Sequence, residues 1–263
     1  MHESSTLNAM AEAATHAGSL MPAHPAPGQF DTWDDFKTAF DVVDRLLSAS
    51  IMERLEATRP GVPFLDEIDT GMPDGEAWVV DAIDGAIHYL QGLPQWSVSI
   101  ALLRDGAPEL AALHSPFLGE VYTAARLGGA HRNGVRVTPS IKTDLSLTLV
   151  GTSQPPFPAR QSGVIEETGR AMTVLLPRVG VVRNLGPTSW QIADVASGRM
   201  DLFFEFGRDA GNLLAASLVV TEAGGIVTDA AGDAWVATSE SFVAAPSALH
   251  PQVISLLSEV QAA

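Results

Sequence analysis

The stretch "WVVDAIDGAIHYLQG", residues 78–92, decides how the chain reads. An apolar run from Trp78 stops at Asp81, a second carboxylate follows at Asp84, and Gly85 comes next. The pattern predicts a buried strand closed by Asp81, with Asp84 just beyond it in a turn that Gly85 permits. Two carboxylates so close repel each other, and a divalent cation between them is the usual remedy. Backbone N–H groups after Gly85, at the start of a following helix, suit a phosphate oxygen. The same short pattern also fits a surface turn with two solvated aspartates.

Outward from this stretch the elements follow in order. Residues 5–21 have the apolar spacing of a helix, and the proline-rich loop "PAHPAPGQ" follows at 22–29. A second helix is predicted from Thr32, with Phe36, Phe40, Val43, Leu46 and Leu47 at spacings of three and four. "WSVSIALLRDG", "PELAALHSP" and "GEVYTAARLGGAHRNGVRV" predict an antiparallel meander, with turns at Asp105-Gly106, Gly128-Gly129 and Asn133-Gly134. From about residue 145 the pattern alternates between strand and helix, ending in a helix over "SALHPQVISLLSEVQ". Layered helices and sheets are expected, in an N-terminal half over 1–144 and a C-terminal half over 145–263 that completes the site.

Composition limits the function. The chain has 263 residues and no cysteine, so disulfides, thiolate zinc sites and cysteine nucleophiles are excluded. Thirty-one acids against 15 bases give a formal net charge of −16. There is no basic stripe to displace phosphate counterions, so nucleic acid is not an expected partner. No apolar run reaches membrane-spanning length, and "MHESSTLNAM" does not read as a signal peptide; a cytoplasmic location is expected. The seven histidines show no i, i+4 pair and no H-E-x-x-H, which argues against zinc. "GTSQPP" is no nucleophile elbow.

The wider pattern resembles a known family. "WVVDAIDGAIHYLQGLPQWSVSIALLRDG" resembles the inositol monophosphatase signature, roughly W-V-x-D-P-I-D-G-T-x-N-F followed by G-x-P and V-S-I-x-L. "FLDE" (64–67), "VVDRLLSASIMERL" (42–55), "GEVYTAARLGGAHRNG" (119–134) and "GNLLAASLVVTEAGGIVTD" (211–229) resemble further family segments in the right order. The resemblance implies the layered αβαβα sandwich of the inositol monophosphatase and fructose-1,6-bisphosphatase type. It also implies an Mg²⁺-dependent, lithium-sensitive type of phosphatase that acts on small phosphorylated alcohols and often forms homodimers.

Carried onto this chain, the resemblance places Glu67, Asp81 and the carbonyl of Ile83 around a first metal. Asp81, Asp84 and the residue at the family's W-D position, here Asn212, would surround a second. Gly85 and Ala86 would present N–H groups to phosphate, Glu205 would contact substrate hydroxyls, and Asp44 would stand near the second metal. Two-metal chemistry clamps the phosphate, activates a water and stabilises the leaving oxygen.

Three positions depart from the family. Ala86 replaces a threonine whose hydroxyl helps orient the attacking water, and a methyl group cannot do this. Asn212 replaces a metal-binding aspartate; its amide oxygen ligates without charge, so a second Mg²⁺ would bind more weakly. Asp41 stands where the family has threonine, on one helix face with Asp44; it either restores lost charge or is a solvated helix acid. Three readings stay open: a phosphatase of altered range, a repurposed enzyme that expels phosphate by elimination or internal displacement, and a non-catalytic binding homologue. His88, Trp96 and Trp190 are further candidates for the pocket, against the plainer reading that they pack. Substrate choice is expected to rest on loops around 154–165 and 183–190.

Overall fold

The computed structural model describes residues 2–65 and 74–261. Two helices open the chain, α1 (His2–Ser19) and α2 (Trp33–Thr58). Thr32 caps α2 in a capping box: its Oγ1 accepts the Asp35 N–H, and Asp35 accepts the Thr32 N–H. The prolines and glycine of residues 22–29 form the irregular connection between these helices.

The meander forms an antiparallel sheet of β1 (Glu76–Asp84), β2 (Ser97–Arg104), β3 (Ala107–Ser115), β4 (Glu120–Ala125), β5 (Gly129–Arg132) and β6 (Val135–Arg136), in that spatial order. A short helix, α3 (Ala86–Leu90), joins β1 to β2. The tight β5–β6 connection uses Asn133 and Gly134, both at positive φ (49° and 75°), as a hairpin turn of matching twist requires. The second half contributes β7 (Leu149–Thr152), α4 (Val164–Leu175), β8 (Val181–Arg183), α5 (Thr188–Ala196) and β9 (Leu202–Phe206). It ends with α6 (Ala210–Ala223), β10 (Ile226–Thr228), β11 (Ser241–Ala245) and α7 (His250–Gln261). Its sheet runs β10-β11-β9-β7-β8, with β7 parallel to both β8 and β9, as helical crossovers demand.

Side-chain alternation assigns the layers. Trp78, Ile100, Leu102 and Ala112 point one way, into a core with Met10, Leu47, Ile51 and Leu55 of α1 and α2. Val79, Ala101, Leu103 and Leu113 point the other way, onto Ile192 of α5 and Val219 of α6. Phe203 and Phe242 of the second sheet meet the same two helices. Phe204, Val243 and Val150 face α4 and α7. The order is thus helices, sheet, helices, sheet, helices, the αβαβα sandwich that was expected. Both faces of both sheets are covered, which is why the strands read as near-continuous apolar runs. Each fully buried large side chain contributes roughly 1.5–3 kcal/mol relative to exposure.

One expectation is corrected. β1 does not stop at Asp81 but continues through Asp84, with a bulge. Asp81 pairs with Ser99 and Asp84 with Ser97, so two residues of β1 stand against one of β2. The inserted residues, Ala82 and Ile83, are apolar and buried, and burying them keeps the chain extended while it bends. The bulge sets the directions of both carboxylates.

Glu222, in the "EAGG" motif, proves architectural. Its two carboxylate oxygens accept the N–H groups of Leu127 (2.8 Å) and Gly129 (2.9 Å), tying the end of α6 to the β4–β5 turn. Glu222→Ala is expected to cost about 1–3 kcal/mol. That corresponds to a melting temperature lower by roughly 2–10 °C, readable in a thermal melt, with Mg²⁺ binding retained.

Candidate active site

The two aspartates of the opening stretch are held differently. Asp81 keeps partial solvent access, and its Oδ1 accepts the Ile83 N–H at 3.0 Å. Burial, then the neighbouring Asp84 charge, push its carboxyl well above the usual range; Asp209 and Asp44 push the same way. Asp84 is 6% exposed. Its Oδ2 accepts both the backbone N–H (2.8 Å) and the hydroxyl (2.6 Å) of Ser189, in the first turn of α5. The carboxylate therefore caps a helix from a strand 105 residues away in sequence, with the helix dipole in its favour. Burial still raises its pKa to about 6, because the hydrogen bonds offset only part of the desolvation. No lysine, arginine or histidine among the described residues forms an ion pair with Asp81, Asp84 or Glu205.

Gly85 follows at φ 87°, and a Cβ there would lie 2.8 Å from the Gln95 carbonyl oxygen, so only glycine fits. Ala86 begins α3, half-buried, with its methyl against the α1–α2 core. Ile83 is buried in that core. Glu205, on β9, is 1% exposed. Both its oxygens are buried without a hydrogen-bond donor. They face the Asp209 carboxylate, a pairing that is favourable only if the two share a proton; burial and the Asp209 and Asp84 charges hold the Glu205 pKa far up.

The remaining expected residues differ in where they stand: Asp44 and the Asn212 partner Asp209 are near enough to act on Asp81, and Asp41 turns to the surface. Asp44 is half-buried, receives the Ser48 hydroxyl at 3.4 Å, and has its pKa raised mainly by desolvation. It lines a cavity of about 210 Å³ with Ser48, Met52, Phe64, Leu65 and Val80. Asp41 instead takes both its oxygens to Lys37 Nζ (2.9 and 2.7 Å) on the surface of α2. Glu67 lies outside the described residues. Asn212 stands in the first turn of α6 and donates its Nδ2 to both oxygens of Asp209, at 2.7 and 2.9 Å.

For the aromatic and histidine candidates the plainer reading, that they pack, is the one the structure favours. Trp96 is fully buried against Tyr89, and Trp190 is 5% exposed against Tyr122. Both are core because each fills the junction of a sheet with a helix. His88 packs beneath the turn at Gly186, its Nδ1 buried without a partner and its pKa lowered by desolvation.

Two residues missed in the sequence stand out. Ser189 lay inside a predicted helix start, where a serine is an ordinary capping signal. Asp209 lies three residues ahead of Asn212 at the start of α6, a spacing that places both on one helix face.

The donor set fits a hard divalent cation. Asp81, part-exposed, and Asp84, buried, are carboxyl oxygen donors that repel each other and lack a basic partner, and the Glu205 oxygens lie in the same acidic environment. Among the described residues no three acid or histidine side chains enclose an ion unaided.

A family model described as the inositol monophosphatase family matches residues 4–262. The chain is 33% identical over 261 residues to an inositol-1-monophosphatase of Mesorhizobium japonicum, covering 93% of this chain and 92% of the relative. It is 32% identical over 260 residues to a Neisseria meningitidis protein named putative Nus factor SuhB, covering 96% and 97%. Its fold superposes on an Anabaena inositol monophosphatase with TM-score 0.84, at 23% identity and covering 98% and 97%. A Thermotoga maritima IMPase gives TM-score 0.78 at 25% identity, covering 95% of each chain.

Proposed function

The chain belongs to the inositol monophosphatase family, and from that premise we propose that it is an Mg²⁺-dependent phosphatase that hydrolyses the phosphate monoester of a small polyol, sugar or nucleotide-like metabolite. The observation that carries this reading is the Asp81–Asp84 pair at the strand bulge, each held by a hydrogen bond and neither with a basic partner. Asp81, Asp84, the Ile83 carbonyl, Asn212 and the family position Glu67 would hold Mg²⁺. When bound, the metal supplies charge neutralisation for the phosphate and for the leaving oxygen.

The chain's own residues do the rest. The Ile83 N–H fixes one oxygen of Asp81, and Ser189 fixes one oxygen of Asp84, with the Thr188 and Gly85 backbone N–H groups steadying the same carboxylate. Ala86, at the start of α3, offers its backbone N–H to the phosphate, and Gly85 turns its own toward the Asp84 carboxylate. Asp44, its pKa raised by desolvation, is the base that accepts the proton of the attacking water. A bond forms from that water oxygen to phosphorus, and the bond from phosphorus to the alcohol oxygen breaks. The departing alkoxide is protonated by solvent. Glu205, held protonated by burial and the acids beside it, is the group that the family pattern sets toward the substrate hydroxyls.

Phosphate release from a panel of sugar, polyol and nucleotide monophosphates, with and without Mg²⁺, tests the proposal. Turnover in water labelled with heavy oxygen should place the label in phosphate. Release without label would mean that the carbon–oxygen bond breaks instead, and the hydrolytic reading would fall. Ala86→Thr restores a hydroxyl beside the phosphate-binding turn and is expected to raise kcat about 10²-fold, the lower end for positioned proton-transfer groups. An unchanged kcat would show that Ala86 does not limit water positioning.

A further inference from the structure

We propose that Asp209 and Asn212 together replace one carboxylate ligand, with Asp209 as a positioning residue that clamps the Asn212 amide and turns its oxygen toward the cation held by Asp81 and Asp84. The inference rests on the metal-dependent reading of this site.

The clamp has a defined chemistry. Both Asp209 oxygens lie within 2.7–2.9 Å of the same Asn212 amide atom. That atom must be the NH₂ group, because an amide oxygen there would face the carboxylate with like partial charge. With NH₂ committed, the carbonyl oxygen on the other side of the amide is the group left for a ligand. Hydrogen bonding to an anion also polarises the amide and makes that oxygen a stronger donor. The negative charge removed at position 212 has thus moved one helical turn toward the N-terminus.

The backbone before Asp209 is held for this purpose. Gln161 donates Nε2 to the Arg208 carbonyl at 3.1 Å, and its Oε1 accepts the Arg208 N–H at 2.7 Å. Asp209 is 7% exposed, and its side chain does not cap α6. A purely structural capping role therefore does not explain it. Glu205 supplies independent evidence of a ligand: a carboxyl 1% exposed, with both oxygens lacking a donor, directed at Asp209. Two carboxyls so buried and close must either share a proton or have a cation near them.

The test is Mg²⁺ binding by titration calorimetry together with thermal melts, on the full chain and three variants. Asp209→Asn should weaken Mg²⁺ binding about 10- to 100-fold, the range for partners that orient metal ligands. Its melting temperature without Mg²⁺ should hold or rise, because a buried charge has been removed. Asn212→Asp alone restores the family residue but sets two carboxylates 2.7–2.9 Å apart, so it should melt lower without Mg²⁺. The exchange Asp209→Asn with Asn212→Asp should recover most of the lost affinity. Wild-type Mg²⁺ affinity in Asp209→Asn overturns the proposal. So does a lower melting temperature in that variant with no rescue by the exchange, since this is what a structural role predicts. If the unaltered chain binds no Mg²⁺, the metal-dependent reading fails and takes this proposal with it. If it binds Mg²⁺ and releases phosphate while Asp209→Asn is silent, only the role of Asp209 fails.

Discussion

Asp81→Asn is expected to remove phosphatase turnover by about 10³-fold or more in kcat/KM, equivalent to roughly 4 kcal/mol of transition-state stabilisation. The substitution is nearly isosteric. Its amide oxygen still accepts the Ile83 N–H, so the bulge of β1 is retained. What disappears is the charge that Asp84, Asp209 and Asp44 now oppose. The apo protein should accordingly melt at the same temperature or higher, and the stabilisation by Mg²⁺ should shrink. Loss of activity and gain of apo stability in one variant separates a ligand from a folding residue. A variant that keeps turnover within a few-fold of the parent would remove Asp81 from the site.

The second large effect is in stability against pH, with and without Mg²⁺. Asp84 has a folded pKa of about 6, above its ordinary value, so the folded state binds more protons than the unfolded state between about pH 4 and 6. Stability without Mg²⁺ therefore falls as pH rises through that window. Above it, the full penalty from Asp84 is about 3 kcal/mol. Asp81 and Glu205 act in the same direction, through desolvation and the charges of Asp84 and Asp209. Mg²⁺ binds the ionised form and offsets this penalty by mass action. At pH 8 saturating Mg²⁺ should raise the melting temperature by roughly 6–12 °C, and at pH 5 by much less. Scanning calorimetry at both values, each with Mg²⁺ or chelator, measures the difference. Equal Mg²⁺ shifts at the two pH values would show that these acids are not the groups the cation neutralises.

Much of the molecule is legible in its sequence. Thr32 and Asp35 announce the start of α2 because a capping box acts within four residues. Asn133-Gly134 announces a hairpin because two positive φ angles exclude most other residues. Trp78, Val79 and their partners across β2 read as a strand covered on both faces because alternate side chains enter two different cores. The α1 and α2 stripes were visible as apolar residues at helical spacing. The placement of Trp96 and Trp190 was less accessible: an aromatic beside a functional motif looks the same whether it lines a cleft or fills a core. The Asp209–Asn212 pair did have a local signal, an acid three residues ahead of an altered ligand position at a helix start.

The sequence by itself determined the order of elements, the paired acids at the end of a buried strand, and the glycine that must follow them. These rest on propensity, periodicity and steric limits that act over a few residues. Only the tertiary structure decided that Ser189 holds Asp84 from 105 residues away, and that Glu205 is left without a donor opposite Asp209. It alone also showed that Glu222 serves a distant turn. Those contacts join separate layers of the sandwich. They arise from how helices and sheets pack, and packing between distant segments leaves no period in the chain to read.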